Sequence, residues 1–174
     1  MDLRLEKTKN SIINTFLELR SKKELEKITV KELCEKAQIN KSTFYSHYHD
    51  LYDLSEQLED ELVSSIIMGL QHPESVIVDS ESFTRELFRE FLAKDNLVRI
   101  LFSGSRRSLL IRKIDQSLRN LMFTVCPEVQ DNPERMITLT YTIYGGYYAF
   151  YENRMYGDET VVEIIAKLST TRAC

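Results

Sequence analysis

Apolar residues recur every three or four positions along most of this chain, a spacing that places them on one face of an α-helix. Leu54, Leu58 and Leu62 repeat at intervals of four, and Ile12 and Phe16 show the same interval near the start. The 174 residues include only five Gly and three Pro, whereas β-sandwiches and barrels need many turns rich in both. The spacing and the composition therefore predict an all-α fold.

The first fifty residues predict three helices, of which the second and third are short. Thr29 and Glu32 have the spacing of a capping box, which predicts a second helix over about residues 30–37. A three-residue turn follows, and Asn40 is a suitable N-cap for a third helix over residues 41–48. Two short helices joined by such a turn and preceded by a longer helix are typical of a three-helix, helix-turn-helix head.

Longer amphipathic patterns fill the rest of the chain and predict a helical body. The expected helices, with approximate bounds, are 51–70, 82–94, 97–102, a helix from 109 that ends at Pro127, 134–155 and 159–168. We therefore divide the chain into a helix-turn-helix DNA-binding domain, residues 1–50, and a helical regulatory and dimerisation domain, residues 51–174.

The predicted third helix is rich in hydrogen-bond donors and contains no acidic residue. Its eight positions include Lys41, Ser42, Thr43, Tyr45, His47 and Tyr48. Hydroxyls and amines of this kind meet phosphate oxygens and base edges in the major groove of DNA. The charge distribution agrees, since residues 1–50 hold ten Lys and Arg against eight Asp and Glu, whereas the remainder holds thirteen against nineteen.

Residues 27–50, which read KITVKELCEKAQINKSTFYSHYHD, resemble the N-terminal signature of the tetracycline-repressor-like (TetR) family of bacterial regulators. The family pattern is T-V-x-x-I/L-x-x-x-A-G-V-S/N-x-x-T/S-L/F-Y-x-H/Y-F/Y, and nearly every position is met between Thr29 and Tyr48. The resemblance covers about residues 8–55. It implies a homodimer with an N-terminal DNA-binding head and an all-helical body that binds an effector or a partner.

The resemblance implies a role for each residue that matches this pattern. The residues expected to contact DNA are Thr29, Lys41, Ser42, Thr43, Tyr45, His47, Tyr48 and His49. The first three positions of the third helix enter the groove, and Tyr45 and His47 bond phosphates. Thr29 lies beside a phosphate, and a purely capping role for it is equally compatible with the sequence. Phe44 and Tyr48 hold the third helix against the other two, with the Tyr48 hydroxyl reaching outward.

Two positions depart from the family pattern. The glycine of the turn is Gln38 here, which would have to adopt a left-handed or bridge conformation at a cost of about 1 kcal/mol; a turn slightly different from the family's is the alternative. A lysine that commonly touches a phosphate at the start of the fourth helix is Leu51 here, and His49 or Lys41 could partly replace it. We therefore expect DNA binding that is weaker than usual for the family, or absent.

The helix that Pro133 opens carries aromatic residues at alternating intervals of four and three. Apolar on both sides, this helix must be buried on both. Gly145 and Gly146 at its centre lower helix propensity by about 1 kcal/mol each and indicate a close backbone approach. The resemblance implies that the last two helices pair with their copies across a dimer interface, which we assign to Tyr141, Tyr144, Gly145, Tyr148 and Tyr151. A simple kink at the glycine pair is the alternative.

Aromatic side chains between residues 83 and 122, with tyrosines of the Pro133 helix, could enclose an apolar or aromatic effector. The candidate ligand-binding residues are Phe91, Phe102 and Tyr147, with Tyr hydroxyls and Arg99 or Arg119 fixing the polar end of the ligand. A solidly filled core is the alternative, because phenylalanines at helical spacing usually pack in the interior.

No catalytic constellation, metal site or cofactor motif stands out in the sequence, and the three histidines lack metal-site spacing. An odd number of widely spaced cysteines excludes a paired disulfide framework; these are Cys34, Cys126 and Cys174. No signal peptide is apparent, and no run of about 18 apolar residues could span a membrane. We expect a cytoplasmic protein that is not an enzyme, needs no cofactor or metal and does not bind membranes.

These observations lead to one principal hypothesis and one alternative. The principal hypothesis is a sequence-specific, DNA-binding transcriptional regulator, a homodimeric repressor that leaves its double-stranded operator when a small-molecule or protein effector acts on the C-terminal domain. The alternative is a protein-interaction regulator of the same fold, of the co-activator type, with weak or no DNA binding of its own.

Overall fold

The structure, a computed structural model, describes residues 3–170, and within this range it contains helices and no strand. This confirms the all-α prediction. The α-helices are, in chain order, α1 (Leu3–Arg20), α2 (Val30–Ala37), α3 (Lys41–Tyr45), α4 (Leu51–Met68), α5 (Ser75–Val78), α6 (Ser80–Ala93), α7 (Asp95–Leu101), α8 (Arg107–Val125), α9 (Pro133–Asn153) and α10 (Asp158–Thr170). Short 3₁₀ turns lie at Leu25–Lys27, Gly104–Arg106, Pro127–Asp131 and Arg154–Tyr156. Cys174 lies outside the described residues.

Capping side chains fix the starts of two helices in the N-terminal part of the chain. Thr29 caps α2, since its hydroxyl accepts a hydrogen bond from the backbone N–H of Glu32 at 3.2 Å. Asp50 caps α4 in the same way, through the backbone N–H of Asp53 at 2.8 Å. The predicted bounds of α2 and the predicted start of α4 are thereby confirmed.

Two short elements differ from the prediction. α3 ends at Tyr45, three residues earlier than expected. The backbone N–H groups of His47 and Tyr48 both donate to the carbonyl oxygen of Phe44, which tightens the chain into a turn. α5, a single turn over Ser75–Val78, was not predicted, because four residues are too few to show a helical period.

The chain forms two compact units, and each is made of two segments. Of the described residues, the first unit comprises 3–62 and 96–108, and the second comprises 63–95 and 109–170. The predicted domain boundary at residue 50 falls in the loop before α4, whereas the first unit extends along α4 to residue 62 and includes a later segment.

Apolar side chains from the first four helices form the core of the first unit. Its fully buried members include Ile12, Phe16, Leu33, Phe44 and Leu54. Cys34 lies in the same core, and burial raises the pKa of its thiol, as befits the predicted packing role. The core thus includes a residue of α3, so that packing and not helix length holds this short helix in place.

A buried polar cluster also stabilises the first unit. Glu59 of α4 is fully buried, and Arg106 donates to its two carboxylate oxygens at 2.8 and 2.6 Å, which raises the pKa of the guanidinium. Ser55 donates to the same carboxylate at 2.8 Å. Arg20, at the end of α1, donates to the carbonyl oxygen of Leu101 at 3.1 Å. Residues 96–108 are therefore bonded to both α1 and α4.

The second unit is built around α6 and α10, which pack along each other. Arg85 of α6 donates to the two carboxylate oxygens of Glu163 on α10 at 2.8 and 2.9 Å. A buried apolar cluster consists of Leu70, Phe83, Ile111, Leu118 and Ile143, so α6, α8 and α9 share one core.

Gln38, the residue after α2, has φ 56° and ψ 44° and is the one non-glycine residue with positive φ in the described chain. The expected left-handed conformation is confirmed. We predict that Gln38→Gly raises the free energy of unfolding by up to about 1 kcal/mol, because glycine adopts this conformation without a Cβ clash. Urea denaturation checks the prediction beside the control Gln38→Ala, which keeps the clash. An equal gain in the alanine variant would contradict this explanation.

Candidate functional site

The side chains predicted to contact DNA lie mostly at the surface. Those that are exposed are Thr29, Lys41, Ser42, Tyr45 and His49, while Thr43 and His47 are half-buried. Tyr45 is 55% exposed although the neighbouring Phe44 is fully buried. α3 thus presents hydroxyl and amine groups to solvent, and no acidic residue occurs between residues 41 and 49.

Tyr48 does not belong to this surface. It is only 3% exposed, and its ring packs on that of Phe44 with centroids 5.9 Å apart. Burial is the main cause of the raised pKa of its hydroxyl. The structure therefore corrects the assignment of Tyr48 as a DNA-contacting residue and leaves it the predicted packing role against α3.

Most lysines of the first unit are paired with glutamates. The ion pairs are Lys9–Glu61, Lys22–Glu18, Lys23–Glu32, Lys27–Glu24, Lys31–Glu35 and Lys36–Glu18, at N–O distances of 2.5 to 3.8 Å. Exposed pairs of this kind add little stability, but they neutralise charge locally. The small excess of positive charge in the first fifty residues therefore attracts a polyanion less strongly than the count of lysines and arginines indicates.

The start of α4 carries carboxylates near the position where the family pattern has a lysine. Leu51 is buried, with 7% of its surface exposed. Asp53 accepts a hydrogen bond from the backbone N–H of His49 at 2.8 Å, which lowers the pKa of the Asp53 carboxyl. With the capping Asp50 beside it, this helix start repels a phosphate, so we expect no phosphate contact there.

The second unit contains a cavity of about 490 Å³, which is within the usual range for small-molecule sites. Helices α4, α5, α6, α8, α9 and α10 all contribute to its wall, and most of the lining side chains are apolar. Phe83, Leu118 and Phe150 are buried members of this wall. The alternative of a solidly filled core in this part of the chain is therefore wrong.

Five neighbouring aromatic rings form one part of the cavity wall, and we refer to them as the aromatic wall. They are Phe88, Phe91, Tyr147, Phe150 and Tyr151. Ring centroids are 5.0 Å apart between Phe88 and Phe150, and 4.7 Å apart between Tyr147 and Tyr151. These separations are those of interacting aromatic pairs, so the rings support one another's orientation.

The structure places two of the three predicted ligand-binding residues in the cavity wall, namely Phe91 and Tyr147. Phe102 is buried in the first unit and does not line the cavity, which corrects its assignment. Arg99 belongs to the same segment of the first unit, and Arg119 bonds to other side chains of α8 and α9. Neither arginine is available to fix a ligand, so that part of the prediction is wrong.

Sequence reasoning missed three hydroxyl groups in the cavity wall. Ser80 and Thr84 lie one turn apart on α6, and the Thr84 hydroxyl is 3.2 Å from that of Ser169 on α10. The interval of four on α6 was a usable signal for the first two. No local pattern relates them to Ser169, which lies 85 residues after Thr84.

An apolar stripe on α9 is exposed to solvent. Ile137, Tyr141 and Tyr148 are 54 to 69% exposed at intervals of four and seven, which places them on one helix face. On α10, Ile164 and Leu168 are exposed to a similar degree, one turn apart. We refer to these five residues as the apolar stripe. The expected burial of α9 on both sides is not achieved within one chain.

The residues assigned to a dimer interface do not all lie on the exposed face of α9. Tyr141, Gly145 and Tyr148 do, whereas Tyr144 packs against the buried cluster of the second unit. Tyr151 belongs to the aromatic wall and contacts Phe91. Tyr144 and Tyr151 make these contacts within the chain but keep part of their surface exposed, so their assignment to a dimer interface stays a prediction.

The two adjacent glycines of α9 have different surroundings. A Cβ atom on Gly145 would meet only the ring of Tyr141, at 4.0 Å. A Cβ atom on Gly146 would lie 3.5 Å from Ile165 of α10, and Gly146 lines the cavity. Consecutive helical residues are about 100° apart around the axis. Gly145 therefore lies on the exposed face of α9, and Gly146 lies on the face toward the cavity.

Within residues 3–170, no cluster of His, Cys, Asp and Glu side chains is arranged to hold a metal ion. No helix in the same range combines the length and the apolar character needed to cross a bilayer. Comparison of the chain with models of known protein families, with curated proteins and with solved structures finds no match.

Proposed function

We propose that this protein is a DNA-binding transcriptional regulator of the TetR type, a homodimeric repressor whose affinity for its operator falls when a ligand occupies the cavity. The observation that carries the proposal is the pair α2 and α3, which are joined by a three-residue turn. The second of these helices exposes Lys41, Ser42 and Tyr45 and carries no carboxylate. Such a helix matches the needs of major-groove recognition.

Two parts of the chain connect the helices of the cavity wall to residues of the first unit. Val63 and Ile66 of α4 line the cavity, and Glu59 of the same helix accepts the buried hydrogen bonds of Arg106. The segment 96–108 joins α6 and α8, both of which contribute to the cavity wall. A ligand that binds better to one arrangement of these helices shifts the population toward it and thereby changes the affinity for DNA.

The apolar stripe supports the homodimer in this proposal. Exposed apolar residues that follow one helix face mark surfaces at which proteins associate. A second copy of the chain can cover the stripe with its own, since a two-fold interface pairs the same patch on both subunits. A dimer also provides the two recognition helices that successive major grooves of an operator require.

Titration of DNA tests the principal function. Binding sites are selected from random-sequence duplexes, and affinity for the selected site is measured at several salt concentrations. We predict that Lys41→Ala weakens binding and reduces the slope of log Kobs against log salt by about 1, because one counterion-releasing contact is lost. Tyr45→Ala is expected to weaken binding and leave the slope unchanged, because its hydroxyl is neutral.

The matched control is Tyr156→Ala, which removes a tyrosine that is 69% exposed outside α3. This variant should bind DNA like the wild type. Wild-type affinity in both α3 variants would show that α3 is not the recognition helix.

A second candidate function is supported by the charges around α2, α3 and α4. The paired lysines and the carboxylates at the start of α4 disfavour a polyanionic partner. In this alternative the chain is a co-activator-type regulator that acts through a protein. A selection that recovers no duplex, even at low salt, would favour the alternative over DNA recognition.

A further inference from the structure

The cavity wall carries very little charge. Among the described lining residues only Glu134 and Arg135 are charged, and both are exposed at the start of α9. They are adjacent and of opposite sign, so together they favour neither an anionic nor a cationic ligand. The buried part of the wall offers an ionised ligand group no partner, and burying an unpartnered charge is strongly unfavourable.

Several charged groups on or beside the helices that form the wall are engaged with one another. Arg85 binds Glu163, as described above, and Arg119 binds Asp115 at 2.9 Å. The guanidinium of Arg154 lies 5.0 Å from the ring centroid of Phe150 and bonds to both Asp95 and Asp158. None of these groups lines the cavity. Recruiting any of them for an ionic ligand would break an existing ion pair.

The aromatic wall favours a ligand that carries a ring. Phe91 and Phe150 are buried, whereas Phe88, Tyr147 and Tyr151 retain some exposure. Neighbouring rings in the wall meet edge to face or tilted, with interplanar angles from 42° to 87°. Both ring faces and ring edges are therefore offered to an occupant, and an aromatic occupant gains from either geometry.

The three wall hydroxyls on α6 and α10 favour a ligand with a neutral hydrogen-bond donor. Thr84 donates to the carbonyl oxygen of Ser80 at 2.7 Å, and Ser169 donates to that of Ala166 at 2.7 Å. Ser80 donates to the carbonyl oxygen of Ser169 at 3.2 Å. Because the hydroxyl hydrogens are used in this way, and the Thr84 and Ser169 oxygens lie 3.2 Å apart, the acceptor lone pairs that remain are what these groups offer to a ligand.

From these four features we infer that the cavity binds an uncharged, largely apolar molecule that carries a ring and a neutral N–H or O–H donor. The inference rests on the proposed function for its regulatory meaning, since the ligand is the effector that changes DNA affinity. The ligand class itself follows from the cavity alone.

Two fluorescent probes that differ in one group test the ligand class. N-phenyl-1-naphthylamine is neutral, has fused and single rings and carries one N–H. 1-Anilinonaphthalene-8-sulfonate has the same skeleton with an added sulfonate. Fluorescence titration of the full chain should give one site per chain for the neutral probe, with a Kd at least about tenfold lower than that of the sulfonate.

Variants that fill the cavity locate the bound probe. Gly146→Leu and Ile114→Phe enlarge two lining side chains on different helices, and each should weaken binding of the neutral probe at least about tenfold. Ser64→Leu adds the same leucine at an exposed position of α4 and should bind the probe like the wild type. Circular dichroism establishes which variants are folded, and two filling positions keep the test valid if one variant unfolds.

Equal or tighter binding of the sulfonate would overturn the inference, as would unchanged binding of the neutral probe in a folded cavity-filling variant. The outcome for DNA is read separately, in the titrations described above. A chain that binds the neutral probe as expected but selects no duplex retains this ligand class and loses the proposed function. A chain that binds DNA but prefers the sulfonate retains the proposed function and loses this ligand class.

Discussion

Replacing Arg106 by alanine should lower the free energy of unfolding by about 3–5 kcal/mol. The guanidinium makes two hydrogen bonds to the carboxylate of Glu59, which has no exposed surface. Its removal takes away the cation that is hydrogen-bonded to this buried carboxylate, and neither the Ser55 hydroxyl nor the charge of Arg20, which also acts on Glu59, replaces those two bonds. Urea denaturation of wild type and variant at neutral pH measures the difference.

Two further variants separate this explanation from a simple loss of packing. Removing both charges, as in Glu59→Leu with Arg106→Leu, should recover much of the lost stability, because no carboxylate is then buried without its hydrogen-bonded cation. Lys22→Ala breaks the exposed pair with Glu18 and should leave the unfolding midpoint unchanged. Equal losses in the single and double variants would mean that the pair matters only through its volume.

In the proposed homodimer, glutamates placed in the apolar stripe should separate the subunits into monomers. Tyr141→Glu combined with Ile164→Glu puts one charge on α9 and one on α10, at positions 59% and 54% exposed in the single chain. In a two-fold interface each charge is buried against its counterpart, which disfavours association. Affinity for the selected duplex should then fall by about 10²-fold or more, because the two half-sites of the proposed operator are no longer bound by one linked particle.

Sedimentation velocity reports the assembly state, and titration with the selected duplex reports the affinity. Met68→Glu is the matched control, since Met68 is an apolar residue of α4 that is 84% exposed and lies outside the stripe. It should remain dimeric. If the double-glutamate variant remained a dimer, the apolar stripe would not be part of the interface.

Local signals in the sequence predicted the elements of the fold well. The hydroxyl of Thr29 and the carboxylate of Asp50 cap helices where their positions indicated. Gln38 adopts the left-handed conformation that its place in the turn required. These features depend on residues within four positions of one another, so the sequence pattern contains the information that decides them.

The composition of the cavity wall was predicted less well, because it depends on long-range packing. Phe102 and Arg99 follow the aromatic helix α6 closely in sequence, yet the chain passes into the first unit after Asp95. Likewise, the periodicity of α9 did not indicate that the ring of Tyr151 packs with Phe91 in the cavity wall. Regular spacing of apolar residues indicates that a side chain is buried, but it does not indicate which part of the protein the side chain packs against.

The interrupted first unit has a consequence for how the protein is made. Arg20 bonds to a carbonyl group 81 residues later, and Glu59 to a guanidinium 47 residues later. Ribosomes add about 5–20 residues per second, and nascent domains fold as their last segments emerge. Translation must therefore proceed through all of α5, α6 and α7 before the buried carboxylate of Glu59 meets its cation. A nascent chain that stops short of residue 106 carries α2 and α3 on an unfinished core, which leaves this part of the chain exposed to proteases until the later segment is made.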